Sequence, residues 1–284
     1  MTKHAYSFII IGSLLLTACA GAKKERGYYK AQELVSADSA VKLKSKLSQA
    51  VSNDLFEPFT FTGSNHTTIP YRLLRPAPSN KTGKYPLVLV LHSSGAIGTD
   101  NTSQLGILAK LWAQPAIRGK YPAYVVVPQF PQRSSNYQTD KSRNVLTSVP
   151  DPSLASVLQL IDSLRQVLPV NLKQVYVIGF SMGASSTINS LGLRPDMFAA
   201  AVSVSGIPDF NHIDKLAQTP LWLIHGNADT ENPIASDRLL YKELLSLHDQ
   251  HIKFWEIDNL EHDVYPKLYT SDAIPAWLFS QKKK

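Results

Sequence analysis

The pentapeptide GFSMG, residues 179–183, sets Ser181 between two glycines, after the apolar run QVYVIG and before a helix-forming stretch. At a strand-to-helix turn this spacing forces the serine into a strained backbone conformation and exposes its Oγ at the carboxyl edge of a sheet. The next backbone N–H, that of Met182, then stands at the positive end of the following helix. A serine hydroxyl is a poor nucleophile near neutral pH, so it needs a base in hydrogen-bond reach and an acid to orient that base. The chemistry such a set performs is acyl transfer.

Sites in open α/β sheets lie at the carboxyl ends of strands, which narrows the search for both partners. The acid candidate is Asp229 in PLWLIHGNADTENP, just past an apolar run and ahead of a helix, with Glu231 as runner-up. Asp209 and Asp214 read as loop or capping acids. Among eight histidines, His262 in NLEHDVYP follows the last apolar run and is the base candidate. His4 belongs to the leader, His66 to a turn, His212 to a loop, and His248 and His251 to a helix end and the strand after it. His225 ends a buried run and reads as a packed or hydrogen-bonded core residue. Donors for an oxyanion are expected from the Met182 N–H and from the small-residue bend in LVLVLHSSG, where Ser94 is the candidate and His92 a structural member of the bend.

The elements that must position these residues are legible as short apolar runs: PLVLVLH, AYVVVP, QVYVIG, FAAAVSVSG, PLWLIHG and HIKFWEI. Runs with no polar alternation suit parallel strands covered on both faces. Helical stretches are expected at about 102–112, 152–168, 182–192 and 233–248, with a last one through Trp277 and Leu278. Asp151 before Pro152 is a cap followed by a first-turn proline. Strand alternating with helix predicts one doubly wound, mostly parallel sheet with helices on both faces. Ahead of it, FEPFTFTGSNHTTIPYRLLRPAPS alternates as a hairpin with Gly63, Ser64 and Asn65 in the turn, so the sequon at Asn65 reads as turn chemistry. The polar segment 128–153, with Arg133 and Tyr137, reads as a long loop beside the pocket entrance.

The start of the chain, MTKHAYSFIIIGSLLLTACA, has a basic residue, a short apolar run and then small residues, the pattern of a secretory signal. Its end, LTAC, resembles a lipobox, with Cys19 as the lipidated residue; the alternative is a general cleavage site with a chance cysteine. The expected boundaries are a signal peptide over 1–18, a tether and helix over 19–54, and a catalytic domain over 55–284. Acylated Cys19 implies a membrane-lipid partner, and Ala20 after it favours the outer membrane, facing the periplasm or the cell surface. Cys19 is the only cysteine, so the folded domain has no disulfide to draw on. The formal charge of +7 is concentrated in terminal lysines and arginines, with no basic stripe interleaved with aromatics, which argues against nucleic acid as a partner. No protein partner is indicated.

Taken in order, PYRLLRP, PLVLVLHSSG, VVVPQFP, VYVIGFSMGA, MFAAAVSVSG, LWLIHGNADTENP, EHDVY and AWLFSQ resemble the α/β-hydrolase superfamily over about residues 56–280. Within it the chain is similar to secreted esterases grouped with dienelactone hydrolases, polyhydroxybutyrate depolymerases, feruloyl esterases and prolyl-oligopeptidase-like peptidases. Two positions depart from the group's pattern: His92-Ser93 stands for the usual His-Gly, and Ala184 for an extra glycine after the elbow. The resemblance implies Ser181 as nucleophile, Asp229 as orienting acid, His262 as general base and acid, and a small-molecule ester as substrate. No cofactor or metal is called for, since no His-Glu-x-x-His spacing is present. A prolyl-oligopeptidase-like peptidase and a non-catalytic envelope lipoprotein that keeps the fold are the alternatives.

Overall fold

Each apolar run is a strand, and its side chains alternate between two separate cores. In a computed structural model, which describes residues 27–77, 83–248 and 251–283, the chain begins with β1 (Tyr28–Gln32), α1 (Ala37–Gln49) and the hairpin β2 (Phe56–Thr62) and β3 (Thr68–Leu74). β4 (Tyr85–Leu91), α2 (Ile107–Ala113), α3 (Pro115–Lys120) and β5 (Tyr124–Pro128) follow. A second hairpin, β6 (Ser135–Asp140) and β7 (Val145–Pro150), leads into α4 (Pro152–Val167), β8 (Val170–Phe180) and α5 (Met182–Leu193). The chain closes with β9 (Ala200–Val204), α6 (Ile213–Leu216), β10 (Leu221–Gly226), α7 (Ala235–Ser246), β11 (Lys253–Asp258), α8 (Pro266–Thr270) and α9 (Ala273–Phe279).

Nine strands form one sheet in the order β1-β11-β10-β9-β8-β4-β5-β3-β2, parallel from β1 to β5 and antiparallel where β3 meets β5 and β2. Leu87, Leu89, Val175, Val177, Leu221 and Leu223 point into one core with residues of α4, α5 and α7. Val88, Val90, Tyr176, Ile178, Trp222 and Ile224 point into the other with residues of α2, α8 and α9. This period-2 division, with both faces covered, is why the strands read as unbroken apolar runs. Among the described residues no helix is long and apolar enough to cross a membrane.

Three elements differ from the sequence reading. The stretch 19–54 is not only tether and helix: β1 pairs in parallel with β11, and Tyr28 and Tyr29 set their rings against Phe254 and Trp255 at 5.7 and 5.1 Å. A five-residue edge strand carrying Lys30 and Gln32 is too short and polar to announce itself. The helix expected at 102–112 starts only at Ile107, because Asp100 bonds the N–H groups of Thr102 and Ser103 at 2.7 Å and closes a turn there instead. The polar segment 128–153 is a folded hairpin rather than a loop. Its buried serines explain the polar helix beside it: Ser186 of α5 meets the hydroxyls of Ser134 and Ser135 at 2.7 and 2.8 Å, and Asn189 bonds Ser135 and Ser148, each at 2.9 Å. The leader, Cys19 and the basic residues up to Arg26 lie outside the described residues.

Because β1 covers the free edge of β11, a chain started at Glu33 instead of Gly27 is expected to unfold at least about 3 °C lower. Thermal unfolding of the two forms checks this, and equal midpoints would mean that β1 contributes nothing to the sheet.

Candidate active site

β8 ends and α5 begins at Ser181, which sits at φ 56° and ψ −121°, a left-handed backbone that a residue with a Cβ rarely adopts. The elbow is held by its surroundings. The Ser181 N–H bonds the Val204 carbonyl at 2.9 Å, and its own carbonyl accepts the Ser185 N–H at 3.0 Å. Gly183 lies so close to the Leu91 and His92 carbonyls that a Cβ would strike backbone, so the end of β4 can pass only over a glycine. Gly206 does the same behind the elbow: a Cβ there would stand 2.9 Å from the Cβ of Ala184. The methyl of Ala184, at the position where a glycine is usual, is thus accommodated by a glycine on the facing loop.

The structure brings Ser181, His262 and Asp229 into one hydrogen-bonded line. Ser181 Oγ is 2.8 Å from His262 Nε2, and His262 Nδ1 is 2.7 Å from Asp229 Oδ2. Asp229 follows β10 and His262 follows β11, so the ends of β8, β10 and β11, with β9 between the first two, deliver the three side chains to one edge of the sheet. The other carboxylate oxygen of Asp229 accepts the N–H groups of Glu231 and Asn232 at 2.9 and 2.8 Å. Burial pushes the Asp229 carboxyl upward, but hydrogen bonds from His225 and His262 and from the Asn232 N–H outweigh it and hold the group well below the usual carboxylate range. Nδ1 of His262 therefore carries a proton, Nε2 presents a lone pair to the serine, and the set can accept the serine proton. Glu231, the runner-up acid, is exposed and lies 3.7 Å from Nε2, on the wrong side of the ring to orient it. Asp209 caps its own turn through the Asn211 N–H at 2.8 Å, and Asp214 lies in the first turn of α6.

Met182 is the first residue of α5, so its N–H has no carbonyl to bond within the helix. Ser94 opens a short 3-10 turn over Ser94–Ala96. His92 organises that bend: Nδ1 is 2.7 Å from the Ser93 carbonyl, and Nε2 accepts the Phe130 N–H at 2.9 Å. These partners fix the neutral Nδ1–H tautomer, and burial lowers the proton affinity of the ring. The Ser93 carbonyl, held by His92 and by the Ala96 N–H at 3.1 Å, turns the N–H of the same trans peptide, that of Ser94, to the opposite side. A polar ring beside Ser93 thus does the orienting where a glycine would have left the bend free.

Beside the elbow is a cavity of about 90 Å³, lined by Ser93, Ala96, Ile107, Leu108, Phe180 and Val264. Phe180 also packs against the His262 ring at 5.1 Å between centroids. On the other side stands the β6–β7 hairpin, whose Tyr137 hydroxyl is 3.0 Å from Ser185 Oγ and 3.5 Å from the Asn232 amide nitrogen, with Arg133 over its ring at 5.1 Å. Among the described residues no group of three or more His, Cys, Asp or Glu side chains is arranged to hold a metal. His225 and Asp237, fully buried behind Asp229, were not legible as part of this site; the only trace in the sequence is that His225 precedes the Gly-x-x-Asp segment.

The fold is that of the α/β-hydrolases, and solved structures agree. A thermostable esterase, 29% identical, superimposes with a TM-score of 0.73 over 81% of this chain and 64% of its own. The S-formylglutathione hydrolase of Staphylococcus aureus, at 15% identity and a TM-score of 0.53 over 79% of this chain and 97% of its own, shares the fold. The family model described as "Putative esterase" matches residues 64–251, and the chain belongs to that esterase family. Poly(3-hydroxyalkanoate) depolymerase C of Paucimonas lemoignei is 29% identical over 152 residues, which cover 51% of this chain and 34% of the depolymerase. The chain thus spans about a third of the length of that curated relative.

Replacing Gly183 by Ala drives a methyl into two backbone carbonyls, which cannot rotate away as a side chain could. The expected cost is about 1–3 kcal/mol of stability, with displacement of the Ser94 bend, read by denaturant unfolding. Unaltered stability would mean that the β4 end can retreat from the elbow.

Proposed function

We propose that this protein is a serine hydrolase that cleaves carboxylic esters through an acyl-enzyme intermediate. The observation that carries the reading is the His262 imidazole bonded at 2.8 Å to Ser181 Oγ and at 2.7 Å to Asp229. Ser181 Oγ attacks the ester carbonyl as Nε2 of His262 takes its proton, and Asp229 stabilises the imidazolium without taking that proton itself. The N–H groups of Met182 and Ser94 receive the developing oxyanion. His262 returns the proton to the leaving alcohol, then activates water, which attacks the acyl-enzyme and frees Ser181. Membership of the esterase family and the likeness to a thermostable esterase favour esters over peptides as substrates.

The cavity of about 90 Å³ beside Phe180 and Ser93 is small and mostly apolar. A space of that size suits a group of roughly three or four carbons on one side of the ester. The Tyr137 and Arg133 hairpin supplies the opposite wall and selects the other group of the ester.

A fluorophosphonate probe is expected to label the protein at Ser181 and to leave Ser181→Ala unlabelled. The same substitution is expected to lower p-nitrophenyl ester hydrolysis by about a thousandfold or more. Short acyl chains are expected to be cleaved faster than long ones in a p-nitrophenyl series. A folded protein that takes no label has no activated serine and sinks the reading, while peptide cleavage far faster than that of any ester would move it to the peptidases.

The LTAC sequence further supports acylation of Cys19, a short stretch ahead of β1, which would tether the enzyme to an envelope membrane, with the outer membrane favoured by Ala20. Cys19→Ala is expected to leave the membrane fraction after high-salt washing and to take up no labelled palmitate. Retention of the variant in washed membranes would exclude Cys19 as the anchor.

A further inference from the structure

Behind Asp229 lies a second histidine–carboxylate pair that the reaction above does not use. His225, at the end of β10, and Asp237, in the first turn of α7, are both completely buried. His225 Nδ1 is 2.7 Å from Asp237 Oδ2. Its Nε2 is 2.8 Å from the Asn232 carbonyl and 3.2 Å from Asp229 Oδ2, the same oxygen that receives Nδ1–H of His262. A carbonyl can only accept, so Nε2 must carry a proton. With Asp237 ionised, every polar neighbour of the ring is an acceptor, one carbonyl and two carboxylates; burial leaves the Asp237 carboxyl raised, although the His225 ring beside it opposes the shift.

The remaining charges near the pair are already engaged. Glu256, in register with His225 on β11, is held by Arg238 at 2.6 and 2.9 Å, and Asn232 donates its side-chain amide to the Ser205 carbonyl at 2.7 Å. Among the described residues no other cation is within salt-bridge reach of Asp229 or Asp237 apart from the two imidazoles. Burial disfavours a charged ring at 225, but the adjacent carboxylates of Asp229 and Asp237 overcome it and push the group up to about 9.

We propose that His225 is a buried imidazolium, held by Asp237, that positions Asp229 and keeps it ionised while His262 takes up and returns the serine proton. The arrangement is a tandem, Asp237–His225–Asp229–His262–Ser181, in which only the last two members exchange a proton. His225 is a positioning residue: it sets a positive ring nitrogen 3.2 Å behind Oδ2 of the carboxylate already pinned by the Glu231 and Asn232 N–H groups, and withdraws charge from the oxygen that His262 uses. The inference rests on the functional reading of Ser181, His262 and Asp229.

Without the cation, Asp229 becomes more electron-rich and His262 holds a proton more tightly, so more acid must be removed before the base is free. In Asp237→Asn, an isosteric change that removes the counter-charge and leaves His225 neutral, the acid limb of kcat/KM against pH is expected to move up by about one unit, with KM little changed. His225→Gln is expected to move the limb in the same direction. A purely structural role would lower activity at every pH and leave the limb in place, and that result in folded variants overturns the proposal. On the native full-length protein, nitrogen-15 spectra of labelled histidine are expected to place both ring nitrogens of His225 in the protonated range at pH 7. A neutral ring there overturns the proposal too. The second measurement needs no turnover, so it decides the charge state whether or not the protein proves to hydrolyse esters.

Discussion

The backbone at Ser181 is where the structure is most constrained. A non-glycine residue at φ 56° costs on the order of 1–3 kcal/mol, and it persists because strand and helix on either side leave no alternative path. The bond from the Ser181 N–H to the Val204 carbonyl ties the elbow to β9, and the contact of Gly183 with the Leu91 and His92 carbonyls ties it to β4. From this follow the direction of Oγ toward His262, the Met182 N–H at the start of α5, and the nearness of the Ser94 bend. The elbow joins the two strands that flank β8, so the alignment of the central sheet and the geometry of Ser181 cannot be varied independently.

Around that fixed point the polar groups are satisfied by residues from different strand ends. Asp229 shows the principle: a buried carboxylate bonded by two backbone N–H groups and facing two imidazoles can stay ionised where an isolated one could not. His92 performs a similar service at the other side of the site, joining the Ser93 carbonyl to the Phe130 N–H and so linking the Ser94–Ala96 turn to the loop after β5. His92 and His225 are both buried, yet their environments shift their proton affinities in opposite directions. Burial lowers that of His92, which faces one donor and one acceptor, while the carboxyl groups beside His225 raise that of its ring against burial.

The hairpin β6–β7 and the helix α5 form a polar unit inside an otherwise apolar molecule. Ser134, Ser135, Ser148, Ser186 and Asn189 bond one another, which keeps the hairpin registered against the helix that follows Ser181. A wall of the site built on such a network is more rigid than a loop of the same length. Tyr137, bonded to Ser185 one helical turn from Ser181, is the point where the hairpin meets the helix that follows the elbow.

The order of apolar runs, the strand-to-helix break at GFSMG, and the positions of Asp229 and His262 after later strands were sufficient to read the fold and the line Ser181–His262–Asp229 from the sequence. They are legible because local periodicity and chain order follow from backbone geometry and from burial on both faces of a parallel sheet. The strand Tyr28–Gln32, the hairpin within 128–153, the late start of α2 and the His225–Asp237 pair were not legible. Each depends on what lies across from it: an edge strand exists only against β11, a serine-rich helix is buried only against other hydroxyls, and His225 meets two carboxylates only because the chain after β10 folds back over it into α7. The sequence determined which residues could do chemistry; the tertiary structure decided their electrostatic surroundings, because those are set by atoms far apart along the chain and close in space.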